Sequence, residues 1–306
     1  MPSSARSARP WPGIAPPGRR AGPAHDPPPR SGVHPVPLIC FASPKGGVGK
    51  TTLCAAIAVL LRQQGHRVLA LDCDPQNALR LHFGVPFDYE PGFMTGLAQG
   101  VGWREALVET ASGVLLLPHG ATDMRSALGL AQALDQAPAL LTAPLQEMLA
   151  DPALVVLADL PPGPSTALHL LAALAQTVLV ILLADAASAA LLPQLAAGSF
   201  FGRGTVAALR NARVQVVLNQ VEAEDPLSTA VFDCADQTLG LGLVGAVARD
   251  RRIPRALAER QSLAAMPEES PALEDVRHLA GCLGAGLPAP RPAGAAEAGP
   301  CFQVAS

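Results

Sequence analysis

The chain has 306 residues and is short of aromatics, of charge and above all of lysine. Aromatic side chains make up 4%, too few for the platform of rings on which single-stranded nucleic acid stacks. Charged residues make up only 15% and the formal net charge is −3, so no global basic field draws the chain towards nucleic acid or anionic lipid. Its six cysteines (Cys40, Cys54, Cys73, Cys234, Cys282 and Cys301) include no CxxC pair, which speaks against a zinc ribbon or a disulfide framework and for a reducing cytosol. Residues 1–30 contain no apolar run of the kind a signal peptide needs. The one stretch long enough to suggest a membrane span, Leu168–Ala184, is interrupted by His169 and Gln176 and followed by Asp185. Its β-branched residues crowd into the second half, which predicts a short helix followed by a buried strand.

Apolar residues are plentiful, at 49% with a mean hydropathy of +0.29, so a substantial core is expected. They are unevenly spread. Residues 1–36 are rich in Pro, Gly and Arg without apolar periodicity, and a disordered N-terminal extension is expected there. Residues 286–306 read as a flexible C-terminal tail. Between them, continuous apolar runs at Leu38–Ala42, Val68–Leu71, Val114–Leu117, Leu154–Ala158, Val178–Leu183, Val214–Leu218 and Val244–Val247 alternate with helical segments, of which Thr51–Arg62 and Ser165–Ala175 are the clearest. Gly65 stands where a helix C-cap belongs. Strands of this kind are covered on both faces. The expectation is one α/β domain over 37–285, a doubly wound, mostly parallel sheet with helices on both faces.

The first strand runs into Ser43-Pro44-Lys45-Gly46-Gly47-Val48-Gly49-Lys50-Thr51-Thr52. Glycines let a loop turn several N–H groups inwards, and the helix that follows adds the positive end of its dipole. This is a phosphate-binding loop, in which Lys50 reaches phosphate oxygens and the Thr51 hydroxyl can ligate Mg²⁺. Of the chain's 22 basic residues only Lys45 and Lys50 are lysines, so a compact ammonium is needed at both places. The second strand ends in Asp72-Cys73-Asp74-Pro75-Gln76-Asn77. The fourth ends in Asp159-Leu160-Pro161-Pro162-Gly163, an apolar strand closed by Asp as in a Walker B segment. Carboxylates at these strand ends border the crevice where a metal and an attacking water must lie.

KGGVGKT, DCDPQ and DLPPG together resemble the deviant Walker A motif and the two switch segments of the ParA/MinD family of P-loop ATPases. The resemblance implies a homodimer sandwiching ATP, with Lys45 reaching the partner's nucleotide and Asp74 polarising water. It further implies Mg²⁺ held with the help of Thr51, Asp72 and Asp159, and a Gly163 N–H offered to the γ-phosphate. Asn219, after VQVVL, would read adenine, and Asp250 would open a second loop near the base. NALRLHFGV, the GW-R-A segment and LLPHG resemble the cellulose-biosynthesis (BcsQ, YhjQ-type) branch of that family over about residues 38–275. That branch implies a cytoplasmic ATPase that works with other cellulose synthase complex proteins at the inner membrane or cell pole, without inserting in the membrane and without specific nucleic acid. Two other readings stay open: a ParA-type partition ATPase, and a scaffold that binds ATP without hydrolysing it. The arginines at 249, 251, 252, 255 and 260 are diluted by Asp250, Glu259, Glu268 and Glu269, which favours a solvated or partner-facing helix. His66, His82, His119 and His169 have no ligand spacing and read as structural.

Overall fold

The computed structural model describes residues 37–199, 212–260, 263–265 and 270–289. Both expected tails therefore fall outside the described residues except for 286–289, as do Glu268, Glu269 and Cys301.

Seven strands coincide with the seven apolar runs: β1 (Leu38–Ala42), β2 (Arg67–Asp72), β4 (Leu115–Leu117), β5 (Leu154–Asp159), β6 (Thr177–Leu183), β7 (Arg213–Val221) and β8 (Leu243–Ala248). An eighth, β3 (Val108–Glu109), is two residues long and pairs antiparallel with β4. The order across the sheet is β3-β4-β2-β5-β1-β6-β7-β8, and every other pairing is parallel. β1 and β5 are neighbours, yet the chain leaves β1 towards β2 and leaves β5 towards β6. Their C-terminal ends therefore open a crevice at the point where the winding reverses. The stretch resembling a membrane span divides as expected, into α5 (Thr166–Ala172) and β6. Among the described residues no helix is long and apolar enough to cross a membrane.

The other helices are α1 (Lys50–Gln63), α2 (Phe93–Leu97), α3 (Met124–Gln136), α4 (Ala139–Leu149), α6 (Ala186–Ala189), α7 (Leu192–Ala196), α8 (Pro226–Leu239), α9 (Arg252–Ala258) and α10 (Pro271–Gly284). α1 has no polar residue between Leu53 and Leu61, and all nine positions are buried. A helix that is apolar all round must be covered all round. It lies between β2 and α10 and anchors a core cluster, with Ile57 and Leu61 fully enclosed. Burying side chains of that size is worth about 1.5–3 kcal/mol each. α1 stops at Gly65 (φ 93°), where the Gly65 N–H donates to Arg62 O and the His66 N–H to Leu61 O, the paired bonds of a Schellman motif. Asp123, Ser165, Asp185, Asp225 and Ser270 each cap a helix by accepting the N–H three residues on.

α10 approaches the sheet closely because Gly245 in β8 has no side chain: a Cβ there would lie 2.5 Å from Leu279 Cδ2. Gly245→Ala is expected to lower stability by about 1–3 kcal/mol in urea unfolding, and by clearly less when Leu279→Ala is present in the same chain. Additive costs would contradict this packing.

Candidate functional site

Three loops meet over the N-terminus of α1. The Ser43–Gly49 loop leaves β1, a second loop carries Asp74 away from β2, and a third carries Gly163 away from β5. The N–H groups from Gly46 to Thr52 donate to no acceptor among the described residues, and no side chain caps α1. Gly46 and Gly47 have nothing within 4 Å of where a Cβ would be, so the loop curves around open space. A cradle of unpaired N–H donors at a helix N-terminus is built to take an anion. Gly49 is required on two counts: its φ of 87° lies in the left-handed region, and a Cβ would come 2.2 Å from Asn219 Nδ2.

Lys50 is buried, and its Nζ lies 2.5 Å from Asp159 Oδ1 and 3.7 Å from Asp74 Oδ2. Burial alone would lower its pKa, but the charge and hydrogen bond of Asp159, helped by Asp74, outweigh it and raise the ammonium above its ordinary value. Asp159 is fully enclosed. Burial pushes its carboxyl up, and Lys50 pulls it only part of the way back. Asp159 Oδ2 has no hydrogen-bond partner among the described residues, although the Thr51 side chain lies close enough to favour the carboxylate. Asp72 is the register neighbour of Asp159 across the sheet and is equally buried. Burial pushes the Asp72 carboxyl up as well, so the site gathers three carboxyl groups around one ammonium, with one Asp159 oxygen unpartnered among the described residues.

Those residues fit a divalent cation shared with a phosphate. Among the described residues no cluster of three His, Cys, Asp or Glu side chains could hold a metal alone. Magnesium in such sites takes one or two protein oxygens and completes its shell with phosphate and water, so Thr51 and Asp159 suffice as the protein's share.

Asp72 stands differently from its expected place in the magnesium sphere. Its Oδ1 accepts the Asp74 N–H at 3.0 Å and its Oδ2 accepts the Leu79 N–H at 3.1 Å. Both oxygens help fold the loop that presents Asp74. The Gly163 N–H, expected to face a γ-phosphate, donates to Ser43 O at 2.7 Å and ties the third loop to the first. Lys45, expected to reach across a dimer, is parked on its own chain: Nζ lies 2.6 Å from Asp185 Oδ2. Asp185 Oδ1 meanwhile accepts the Ser188 N–H. Burial works against ionising Asp185, but Lys45 and the Ser188 N–H win and hold it below the usual carboxylate range. Asp185 was not singled out as a site residue in the sequence; it lies two residues beyond β6 and caps α6, whereas Asp72 and Asp159 are the last residues of their strands.

The cradle opens into a cleft of about 620 Å³ whose far wall includes Asn219, Asp250, Ile253, Pro254, Leu257 and His82. Asn219 does not extend freely towards a base: its Nδ2 donates to Val48 O at 2.7 Å and braces the phosphate loop, leaving a buried Oδ1 without a partner among the described residues. Asp250 Oδ1 accepts from the Arg252 N–H at 2.8 Å and from Arg252 Nε at 3.2 Å. The basic cluster is largely paired on the surface, Arg249 with Glu222 at 2.6 Å and Arg255 with Glu259 at 2.8 Å. Cys40, Cys54 and Cys73 are buried with thiols pushed up by that burial, so they are inert packing.

Lys50→Met would strip Asp159 of its counter-charge. A carboxyl whose folded pKa exceeds its unfolded value favours folding at low pH and loses that advantage as pH rises through the folded pKa. The deficit of the variant against wild type is therefore expected to widen as pH rises above the ordinary carboxylate range, towards about 3–5 kcal/mol, in urea unfolding without nucleotide. A deficit independent of pH would show that Asp159 does not depend on Lys50.

The family model described as "Cellulose biosynthesis protein BcsQ" matches residues 36–283. BcsQ of Escherichia coli K12 is 42% identical over 76 residues, which are 25% of this chain and 30% of that protein. An uncharacterized ATP-binding protein of Methanocaldococcus jannaschii is 39% identical over 84 residues, 26% of this chain and 31% of that one. The matched stretches thus span less than a third of these curated relatives. Among solved structures, the cell division ATPase MinD of Pyrococcus furiosus aligns with a TM-score of 0.64 at 23% identity, over 80% of this chain and 97% of that one. The ATP complex of a Cyanothece McdA variant aligns with a TM-score of 0.66 at 18% identity, over 83% and 98%. At such identities the likeness establishes the shared fold alone. The family match runs from before β1 to the last turn of α10 and takes in all three loops of the site, and the chain belongs to the BcsQ family of cellulose biosynthesis proteins.

Proposed function

We propose that this chain is an ATPase whose domain spans 37–285 and which acts as a dimeric switch on the cytoplasmic side of the cellulose-synthesis machinery, recruited to the inner membrane or cell pole by proteins of that complex. The observation that carries the reading is the cradle itself: unpaired N–H groups from Gly46 to Thr52 around a buried Lys50, beside an Asp159 with one oxygen unused. Kinship to the BcsQ family supplies the cellulose connection.

The parts suggest a sequence of events. The loop N–H groups bind the β- and γ-phosphates, and Lys50 turns from Asp159 to the phosphate oxygens. Asp159, released, and Thr51 would hold Mg²⁺. The metal would supply neutralisation of the charge that develops on the transferring phosphoryl group. Asp74 then orients water: its Oδ1 accepts the Gln76 N–H at 3.0 Å, and its Oδ2 lies only 3.7 Å from the Lys50 ammonium that would mark the phosphates. Closure on a second copy lets Lys45 exchange Asp185 for phosphate oxygens of the partner's nucleotide. Loss of the γ-phosphate reverses these contacts and loosens the dimer. The pairing of Arg249 and Arg255 with carboxylates lends no support to a DNA-retaining partition role.

Phosphate release per chain should rise with protein concentration in the wild type. Lys45→Ala should lower kcat by about 100-fold or more while leaving monomer affinity for Mg-ATP near normal. Asp74→Ala should lower kcat by about 10²–10⁴-fold and accumulate an ATP-bound dimer in gel filtration. Concentration-independent turnover, or no turnover by a wild type that retains ATP, would reject the switch in favour of a monomeric enzyme or a scaffold respectively.

Asp185→Asn offers a separate check. Asparagine still caps α6 but cannot hold the ammonium by charge, so the cost of releasing Lys45 falls. Part-exposed pairs of this kind are worth about 0.2–1 kcal/mol, so the concentration for half-maximal ATP-dependent dimer should fall up to about fivefold by light scattering. A rise would mean that Asp185 serves the dimer itself.

A further inference from the structure

His82 lies in a short 3-10 turn, Leu79–Phe83, that packs against both α1 and α9. It is 4% exposed and forms part of the wall of the nucleotide cleft. Among the described residues neither of its ring nitrogens has a hydrogen-bond partner. His119 shows the contrast, since its Nδ1 lies 3.1 Å from Gly120 O and the cleft does not include it. Burial lowers the His82 pKa to about 4, so the ring is neutral near pH 7, with one nitrogen donating and one accepting. The ring lines the cleft with no partner on the protein among the described residues, so its nitrogens are open to whatever occupies the cleft.

Position narrows what that something is. The phosphate end of the cleft belongs to Lys45, Lys50 and the loop N–H groups. The apolar surfaces near the His82 turn come from α9, through Ile253, Pro254 and Leu257. A neutral ring beside apolar side chains suits a flat, weakly polar group better than a phosphate. The turn is also held firmly. Arg80 donates from Nη1 to Pro86 O and Tyr89 O, both at 2.8 Å, and from Nε to Asn77 O at 3.0 Å, while the Leu79 N–H is held by Asp72.

We propose that His82 is a nucleoside-contacting residue, whose imidazole hydrogen-bonds the sugar or the base of the bound nucleotide and so favours a nucleotide over bare tripolyphosphate. The inference rests on the nucleotide-binding reading above. It adds that the segment from Asp72 to Phe83 touches both ends of the ligand, with Asp74 at the phosphates and His82 at the nucleoside.

The test uses the full chain and isothermal titration with Mg-ADP, Mg-2′-deoxy-ADP and Mg-tripolyphosphate, on wild type, His82→Phe and His82→Gln, with thermal melting as the check on folding. For the wild type, the expected result is clear preference for Mg-ADP over Mg-tripolyphosphate. His82→Phe, which keeps an aromatic ring without the nitrogens, should weaken Mg-ADP about threefold to tenfold and leave Mg-tripolyphosphate within about twofold. His82→Gln should recover part of the loss. If the sugar is the partner, 2′-deoxy-ADP binds the wild type as weakly as ADP binds His82→Phe; if the base is, the two nucleotides bind alike. The wild type gives an independent reading by NMR, where the His82 ring nitrogen resonances should move with Mg-ADP and stay in place with Mg-tripolyphosphate. Unchanged Mg-ADP affinity in His82→Phe, equal loss for both ligands, or ring resonances indifferent to Mg-ADP would overturn the proposal. Failure of the nucleotide reading itself would show earlier, as a wild type that binds none of the three.

Discussion

The site depends on a buried ion pair that does not balance. Lys50 and Asp159 meet at 2.5 Å inside the protein, with Asp72 and Asp74 close by. Desolvating two ions costs several kcal/mol each, and one pair recovers that only when every remaining lone pair is satisfied. Here one is not, because Asp159 Oδ2 is buried without a partner among the described residues. A core chosen for stability alone would replace these groups with apolar ones of similar volume. The proposed function accounts for their presence: a ligand would bring the compensating charge, a triphosphate for Lys50 and a divalent cation for the carboxylates. Parallel register puts the problem there by construction: pairing Asp72 with Asp159 across β2 and β5 places both carboxylates at the edge where the crevice opens.

The first and third loops are tied together and the second is folded on itself. Asp72 folds the loop of Asp74 by accepting two of its N–H groups, and Gly163 ties its own loop to Ser43. Asn77, between Asp74 and the His82 turn, has φ 49° and a buried side-chain amide with neither atom partnered among the described residues. Asparagine is among the non-glycine residues that take this conformation most readily, and the bond from Arg80 Nε to Asn77 O holds the turn in place.

Much of this was legible in the sequence, for identifiable reasons. A strand in a parallel sheet is buried on both faces, so it is written as an unbroken apolar run, and seven strands were found that way. β3 was not, because two residues carry no periodicity and its pairing with β4 is a tertiary event. The phosphate loop was legible because its chemistry is backbone chemistry, which glycine spacing encodes directly. The carboxylates were harder. Asp at the end of a strand can turn to a metal, to a loop N–H or to a lysine, and local sequence is the same in all three cases. Here Asp159 and Asp185 turn to lysines and Asp72 to loop N–H groups. Asn219 follows the same rule: the sequence put it just past the apolar run, whereas it lies inside β7, and its bond to Val48 O depends on a loop 171 residues away.

The scarcity of lysine ties these strands of argument together. Only two of 22 basic residues are lysines, and both are found holding an aspartate that a bound nucleotide would compete for: Lys50 on Asp159 and Lys45 on Asp185. An arginine would grip a carboxylate with a planar fork and two parallel bonds, and would surrender it reluctantly. An ammonium is a point charge on a flexible stem that can exchange one oxygen for another with little change in geometry. Where the chain needs a fixed clamp it uses arginine, as Arg80 does across the His82 turn. Where the proposed switch asks a cation to change partners, it keeps lysine. On that proposal the distribution of the two residues separates the parts of the site that would hold still from the parts that would move.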